Sequence, residues 1–476
     1  MTTEQDLANE IMEKAVLAAA EFDQFDQAQT DKIVEAVFRA GFAARISLAK
    51  MAVEETRLGV WQHKVLKNIL ATQFVYANIQ NEKTVGELSR DMKAGIIEIA
   101  QPMGPIFAIT PMTNPTSTTL FKILICLKTH NPVIISPHHR SAKCSGEAAR
   151  IAYEAALKAG APEYCVQWIS GGSRELTHTF MSHPGMALIL ATGGTGLVTA
   201  AYSSGTPAIG VGPGNVPVFI DKSADFPFAV KSILASKTFD NGTVCASEQA
   251  VVVEKSVEEK LKEEFRKQGG YFLKPDEIKK VEGVAINPKT GGMNIDIVGQ
   301  SVEEIARMAG LAIPAGTTVL FAQLNRVGQD EPLSGEVLAP ILAFYAEDSY
   351  EDAVKCCISL NYRGGIGHTA SIYANDEKRI EEFSNLMNAG RVVVNIPSAQ
   401  GAVGGIFNSL LTSFTLGCGS GGKNITTENI SARHLINIKR VSRRRPNERW
   451  FAFDIDKYFD EKLSTDDIMN DYNRNF

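Results

Sequence analysis

The sequence predicts an α/β protein built from two doubly wound, mostly parallel sheet units with a cleft between them and a small arm. Three observations predict it. Short apolar runs alternate with helical spacing from Pro105 onward, glycine-rich turns follow several of those runs, and the alternation starts again after residue 245. Strands buried on both faces read as continuous apolar runs, and helices must cover them from either side.

Each element follows from its local pattern. Helical spacing over 4–20 and 30–57, as at Ile33, Val37, Ala40 and Ala44 with Gly41 the one breaker, predicts leading helices. Met92 to Gln101 alternates loosely with little room for a helix, so it reads as a hairpin arm. Ile106 to Thr110 reads as a strand, after which Leu120, Ile123, Leu124 and Leu127 share one helical face. A strand follows at Val133 to Ser136, then a helix over 142–159 that stops at Gly160, then a strand at Cys165 to Ile169. Met186 to Thr192 is the next strand, 193–205 a glycine-rich turn and helix, and Pro207 to Val211 and Val216 to Ile220 two more strands. The second series runs strand Ala250 to Val253, helix Ser256 to Lys267, strands Thr318 to Ala322 and Ile341 to Tyr345, and helix Tyr350 to Leu360. It closes with strand Thr369 to Tyr373, helix Asp376 to Ala389 and strand Arg391 to Asn395. A cleft between two such units is where a ligand site is expected.

Composition narrows the function. The 476 residues, 44% hydrophobic and 21% charged, suffice for two or three domains with their own cores. A net charge of −6 argues against a general basic surface for nucleic acid or anionic lipid, which leaves small molecules as partners. The one basic cluster, Lys439, Arg440 and Arg443 to Arg445, reads as a solvated surface, with a phosphate or subunit contact as its alternative. Seven scattered cysteines (126, 144, 165, 245, 356, 357 and 418) lack C-x-x-C spacing and read as free thiols, with neither a disulfide frame nor a metal site. The acidic N-terminus lacks the order of a signal peptide, and no apolar run reaches the roughly 18 to 20 residues of a membrane span. A cytoplasmic protein is expected.

Few residues carry the look of chemistry. Cys245 lies in Phe239-Asp240-Asn241-Gly242-Thr243-Val244-Cys245, a polar loop leading into a strand, where a thiol can be activated as a nucleophile. The alternative is a small buried apolar residue. Asn114, in Thr113-Asn114-Pro115, stands between a strand and a helix; it reads as a helix cap or as an amide donor to a developing oxyanion. Glycine-rich turns occur at 193–196, 210–214 and 417–422, and the first follows a strand and opens a helix, where backbone N–H groups favour phosphate. It lacks full G-x-G-x-x-G spacing, so a plain tight turn stays open. His368 follows Gly364, Gly365 and Gly367; it reads as a structural histidine or as a general base for a thiol cosubstrate. His138 and His139 follow a strand end where a cofactor cleft would lie, and Cys356 and Cys357 read as core.

With these residues assembled, the chain resembles the aldehyde dehydrogenase superfamily, and within it the acylating branch typified by the N-terminal half of bifunctional aldehyde-alcohol dehydrogenases. The similarity runs from about residue 10 to 450. It rests on Thr113-Asn114-Pro115-Thr116-Ser117, Ala191-Thr192-Gly193-Gly194, Ala200-Ala201-Tyr202-Ser203-Ser204-Gly205, Thr238 through Gln249, Gly365-Ile366-Gly367-His368-Thr369 and Thr415-Leu416-Gly417-Cys418-Gly419-Ser420. These 476 residues hold no counterpart of the iron-dependent alcohol dehydrogenase half.

The resemblance implies Rossmann-type domains: a dinucleotide-binding domain over 1–91 and 103–222, a catalytic domain over 223–422, and an oligomerisation arm and tail over 92–102 and 423–476. It implies that Cys245 attacks an aldehyde, that Asn114 and the Cys245 backbone N–H hold the oxyanion, that hydride passes to NAD, and that coenzyme A takes the acyl group with His368 activating its thiol. The cofactor-binding set it implies is Thr113, Ser136, His138, Gly193, Gly194, Thr195, Gly212, Glu336 and Gly417. Hydrolytic relatives place a water-activating glutamate in Glu-Leu-Gly-Gly-Lys; the matching stretch here, 210–214, has no carboxylate, so a thioester can await coenzyme A. The lysine that many relatives place after the second strand is replaced by Ser136-Pro137-His138, which leaves NAD preferred over NADP. Dimers or higher homo-oligomers are implied, with an alcohol dehydrogenase partner or packaging in a microcompartment as further associations.

Three rivals are distinguished by simple tests. An aldehyde oxidiser releasing a carboxylate forms NADH at full rate without coenzyme A. A plain acyltransferase makes acyl-CoA with no change in nicotinamide absorbance. A scaffold or cargo role would use the N-terminal helix with Ile11, Ala15, Ala18 and Ala19, though that stripe suits part of the fold better. Acetaldehyde is favoured by the resemblance, with propionaldehyde, succinic semialdehyde and sulfoacetaldehyde as other substrates.

Overall fold

The computed structural model describes residues 3–171, 173–444 and 454–475, so Arg445 of the basic cluster lies outside the described residues. The apolar runs of the sequence become two all-parallel sheets. The first contains β3 (Ile106–Thr110), β4 (Val133–Pro137), β5 (Val166–Trp168), β6 (Leu188–Thr192) and β7 (Ala208–Val211), in the order β5-β4-β3-β6-β7. The second contains β8 (Val216–Ile220), β9 (Glu248–Glu254), β10 (Gly270–Phe272), β11 (Val319–Gln323), β12 (Ile341–Glu347), β13 (Ala370–Tyr373) and β14 (Val392–Val394), in the order β10-β11-β12-β9-β8-β13-β14. The expected α/β architecture with two parallel, helix-covered sheets is present.

The helix Pro115–Leu127 is buried along its whole length, as an all-round apolar helix must be. Its one buried ammonium, Lys122, donates to the carbonyls of Ile109 at 2.7 Å and Leu190 at 2.8 Å, joining β3 to β6. The leading helix Glu4–Phe22 starts with a Thr3/Asp6 capping box and buries Ala8, Met12 and Ala15 against Phe107 and Ile109. That packing makes it part of the fold.

Two compact units emerge: one holds residues up to Thr84 together with Pro102–Ile436, the other Val85–Gln101 with residues from Asn437 onward. The second unit is an antiparallel hairpin of β1 (Gly86–Asp91) and β2 (Ile96–Pro102), extended by β15 (Ile436–Ser442). Three boundaries differ from the sequence expectation. The hairpin starts at Gly86 and not at 92, because its first strand, Gly86-Glu87-Leu88-Ser89-Arg90-Asp91, is too polar to show a pattern. Residues 423–435 stay with the larger unit, since Ile430, Ala432 and Leu435 are buried in the first sheet's core. Strand β8 pairs with β9 and β13, so the passage to the second sheet falls before residue 216 and not after 222. Among the described residues no helix is long and apolar enough to cross a membrane.

Candidate active site

On the first sheet the residues singled out in the sequence follow their strands: Thr113 and Asn114 after β3, Ser136 and His138 at the end of β4, Gly193 to Thr195 after β6. The winding reverses between β3 and β6, and loops that diverge at such a point open a crevice at the carboxyl ends of the strands. On the second sheet the site residues precede their strands: Gly214 before β8, Cys245 before β9 and His368 before β13, joined by Arg391 before β14.

The helix Phe226–Thr238 delivers the cysteine loop. Helical backbone then breaks, because Asp240 and Asn241 both turn left-handed at φ 53°. Asp and Asn enter that region more readily than other side chains. The Asp240 carboxylate anchors the turn, accepting from the Val60 N–H at 2.7 Å, Lys64 Nζ at 2.8 Å, Lys67 Nζ at 2.5 Å and the Thr243 hydroxyl at 2.8 Å. Burial works to raise this carboxyl, yet the two ammonium groups outweigh it and hold it down at about 2. Six cysteines are buried and Cys245 alone is partly exposed. Its thiol is pushed up to about 12, by burial first and then by Glu336 and Cys418, against the pull of Arg391.

Asn114 occupies the cap position of the helix Pro115–Leu127, but its side chain makes no cap bond. It turns instead to Lys67, whose Nζ donates to Asn114 Oδ1 at 2.6 Å and to Thr243 Oγ1 at 2.9 Å. One amide hydrogen goes to Thr113 Oγ1 at 3.1 Å. One lysine therefore touches both the candidate oxyanion donor and the loop that carries the thiol.

A different environment lies on the glycine side. A Cβ placed on Gly214 would lie 2.3 Å from the Cys245 carbonyl oxygen and 3.1 Å from the His368 ring, so these three residues meet. His368 is fully buried; its Nδ1 bonds Thr369 Oγ1 at 2.9 Å, and its Nε2 has no partner among the described residues. Burial and then Arg391 push the imidazole down to about 3, so it is neutral at physiological pH. Arg391 donates to the His368 carbonyl at 2.7 Å and to the Gly417 carbonyl at 2.6 Å. Glu336, distant from 210–214 in the sequence, lies against them: its Oε1 accepts the Gly214 N–H at 2.9 Å, and burial raises its carboxyl to about 7.

The remaining cofactor candidates differ in openness. The helix Thr195–Ser203 opens at Gly194, and a Cβ on Gly194, Gly196 or Gly212 would meet nothing within 4 Å. Free N–H groups of that helix start, at a switch point with room beside them, fit a dinucleotide diphosphate. Ser136 is buried, and the His138 ring accepts the Arg140 N–H at 3.2 Å beside His139. Burial, then His139 and Arg140, push the His138 imidazole down to about 4. Gly417 is close-packed: a Cβ there would lie 2.4 Å from the Thr426 carbonyl oxygen, which gives this glycine a structural reason independent of any ligand.

A sequence model of the aldehyde dehydrogenase family matches residues 1–417 of this site-bearing chain. The chain belongs to that family. Within it, the bifunctional aldehyde-alcohol dehydrogenase AdhE of Escherichia coli (strain K12) is 45% identical over 470 residues, 97% of this chain and 52% of that protein. The chain thus spans about half the length of its bifunctional relatives. An acetylating aldehyde dehydrogenase from Geobacillus thermoglucosidasius shares the fold with a TM-score of 0.90 at 45% identity, over 94% of this chain and 98% of that one. A propionaldehyde dehydrogenase from Rhodopseudomonas palustris, solved with bound CoA and an acylated cysteine, matches with a TM-score of 0.81 at 26% identity, over 92% and 97%.

In this aldehyde dehydrogenase the tertiary structure adds residues that the sequence reading passed over: His63, Lys64 and Lys67 on one helix, and Arg391. His63 Nδ1 accepts the Asp240 N–H at 2.8 Å. The available signal was a run, His63-Lys64-Val65-Leu66-Lys67, in which two lysines three apart on a helix are both buried. Lysine is seldom fully buried without a partner, but burial is invisible in a single sequence.

Proposed function

We propose that this aldehyde dehydrogenase is of the CoA-acylating kind. It interconverts a short-chain aldehyde, acetaldehyde first, plus CoA and NAD with the acyl-CoA and NADH, through a thioester on Cys245. The observation that carries this reading is the filling beside Cys245: a side chain at residue 214 has no room, and the His368 ring stands there in place of a water-activating carboxylate. The nearby Glu336 already accepts the Gly214 N–H.

The chain's residues divide the work. The Cys245 thiolate attacks the carbonyl carbon, and the C=O electron pair moves to oxygen. That oxyanion takes hydrogen bonds from the second Asn114 amide hydrogen and the Cys245 backbone N–H, an interaction worth roughly 3 to 4 kcal/mol per donor in acyl chemistry. NAD, when held by the Gly193 to Thr195 turn with Ser136, His138 and Glu336, supplies the hydride acceptor, and hydride loss turns the adduct into a thioester. His368 Nε2 accepts the CoA thiol proton; the CoA sulfur then attacks the thioester, and Cys245 leaves as thiolate.

The seven free cysteines suit a reducing cytoplasm. Exposed Ile438 and Val441 on edge strand β15 suit pairing of the arm with a second copy. NADH formation from acetaldehyde, assayed with and without CoA, tests the reading. Turnover that requires CoA and a quenched acyl adduct on Cys245 are expected; full-rate NADH without CoA would exclude it.

A further inference from the structure

We propose that Lys67 is a positioning residue for aldehyde activation: it fixes the orientation of the Asn114 amide and ties that amide to the cysteine loop. The proposal rests on the reading of Asn114 as oxyanion donor and goes beyond it by naming what aims the donor.

An asparagine side chain can face either way, and the two orientations present opposite chemistry. Lysine removes the ambiguity. An ammonium group donates and cannot accept, so only Oδ1 of Asn114 can face Lys67 Nζ, at 2.6 Å. The NH2 group is thereby turned away. One of its two hydrogens goes to Thr113 Oγ1 and the other is left for the reacting oxygen. The three donors of Lys67 are matched by three acceptors, Asn114 Oδ1, Asp240 Oδ2 at 2.5 Å and Thr243 Oγ1 at 2.9 Å. The ammonium is fully engaged and 3% exposed, so it has little freedom to move.

The cluster also carries the right charge. Lys64 and Lys67 share one buried carboxylate, Asp240, so two cations face a single anion behind the cysteine loop. Burial, against the pull of Asp240, brings Lys67 down to about 8, which still leaves it a cation at neutral pH, and its charge couples to that of Cys245. The lysine helix continues into a π-helical turn, Leu70–Phe74, whose Leu70 and Phe74 pack with Val244 of the cysteine loop. One helix therefore holds the amide, the loop anchor and the apolar backing of the thiol.

A mutant cycle read by the single-turnover NADH burst tests this. Lys67→Met is expected to slow the burst about 10- to 100-fold with KM for NAD and CoA within about twofold, because Asn114 Oδ1 loses its only lysine donor. On an Asn114→Ala background the same substitution should cost less than about threefold. Lys128→Met removes a buried lysine that pairs with Asp31 and touches none of these site residues; it should lower the melting temperature while keeping the burst within about threefold. Should Lys67→Met fail to fold, Lys67→Gln keeps two donors in a neutral side chain and enters the same cycle. Equal costs of the Lys67 substitution on both backgrounds, or an unchanged burst in Lys67→Met, overturn the proposal while leaving the Cys245 reading intact. A full-rate burst in Asn114→Ala alone would instead remove the oxyanion role on which both depend.

Discussion

The two sheets of this aldehyde dehydrogenase offer opposite strand ends to one site, and the two ends are built differently. Around the lysine helix and the carboxyl end of β3, polar groups are charged and satisfied: Asp240, at the head of the cysteine loop, is held by two lysines, and Asn114 is gripped at both ends of its amide. Near the amino ends of the second sheet, beside the paired Arg391, burial pushes carboxyl and imidazole groups toward their neutral forms and several polar atoms lack partners. Glu336 and Glu248 are each raised to about 7 by burial, and His368 is lowered to about 3. The buried atoms His368 Nε2, Glu248 Oε2, Ser247 Oγ and Ser398 Oγ have no hydrogen-bond partner among the described residues. The difference teaches a division of labour. On one side charge is fixed in place by hydrogen bonds, whereas on the other burial biases carboxyl and imidazole groups toward their uncharged forms.

The largest expected effect falls where the two regions meet. Cys245→Ala should reduce turnover at least about 1,000-fold with the melting temperature little changed, since a partly exposed thiol contributes little packing. Normal activity would show that the two sides do not converge on this sulfur. Asn114→Ala should cost roughly 100- to 1,000-fold in kcat, the size of one oxyanion donor, with a small change in KM. His368→Ala should slow CoA transfer by about 100-fold while the first burst of NADH survives; loss of the burst would place His368 with the charged side instead.

Glycine substitutions probe the same contrast more gently. Gly214→Ala places a methyl 2.3 Å from the Cys245 carbonyl oxygen and should destabilise by about 1 to 3 kcal/mol, whereas Gly194→Ala meets open space and should fold normally, with any loss confined to NAD affinity. Differential scanning calorimetry separates the two outcomes.

The smallest effects are in pH dependence, and the two regions should show opposite slopes. Asp240 is depressed to about 2, so its stabilisation is present above the unfolded value near 4 and is lost as pH falls toward 2; Asp240→Asn should remove that acid-side loss. Glu248 is raised to about 7, so stability declines as pH rises from about 4.5 through 7, and Glu248→Gln should flatten that decline in urea melts. Parallel slopes for the two variants would remove the distinction between the regions.

Much of this was written in the chain itself. Strands β3, β4, β6, β7 and β8 are continuous apolar runs, and a buried parallel strand needs little else to declare itself. Cys245 stood out because Asp240, Asn241 and Gly242 form a turn that a core cysteine would not need, and Asn114 because it sits between a strand and Pro115. Strand β1 stayed hidden, since a polar edge strand gains its ladder from β2 and not from its own composition. What only the tertiary structure decided is which groups share a dielectric. Lys67 lies 47 residues from Asn114 and 173 from Asp240 along the chain, and nothing local marks it as buried. Periodicity reports which face of an element is apolar, but the pairing of one ammonium with two distant acceptors depends on how helices and sheets pack, and only packing brings them within hydrogen-bond reach.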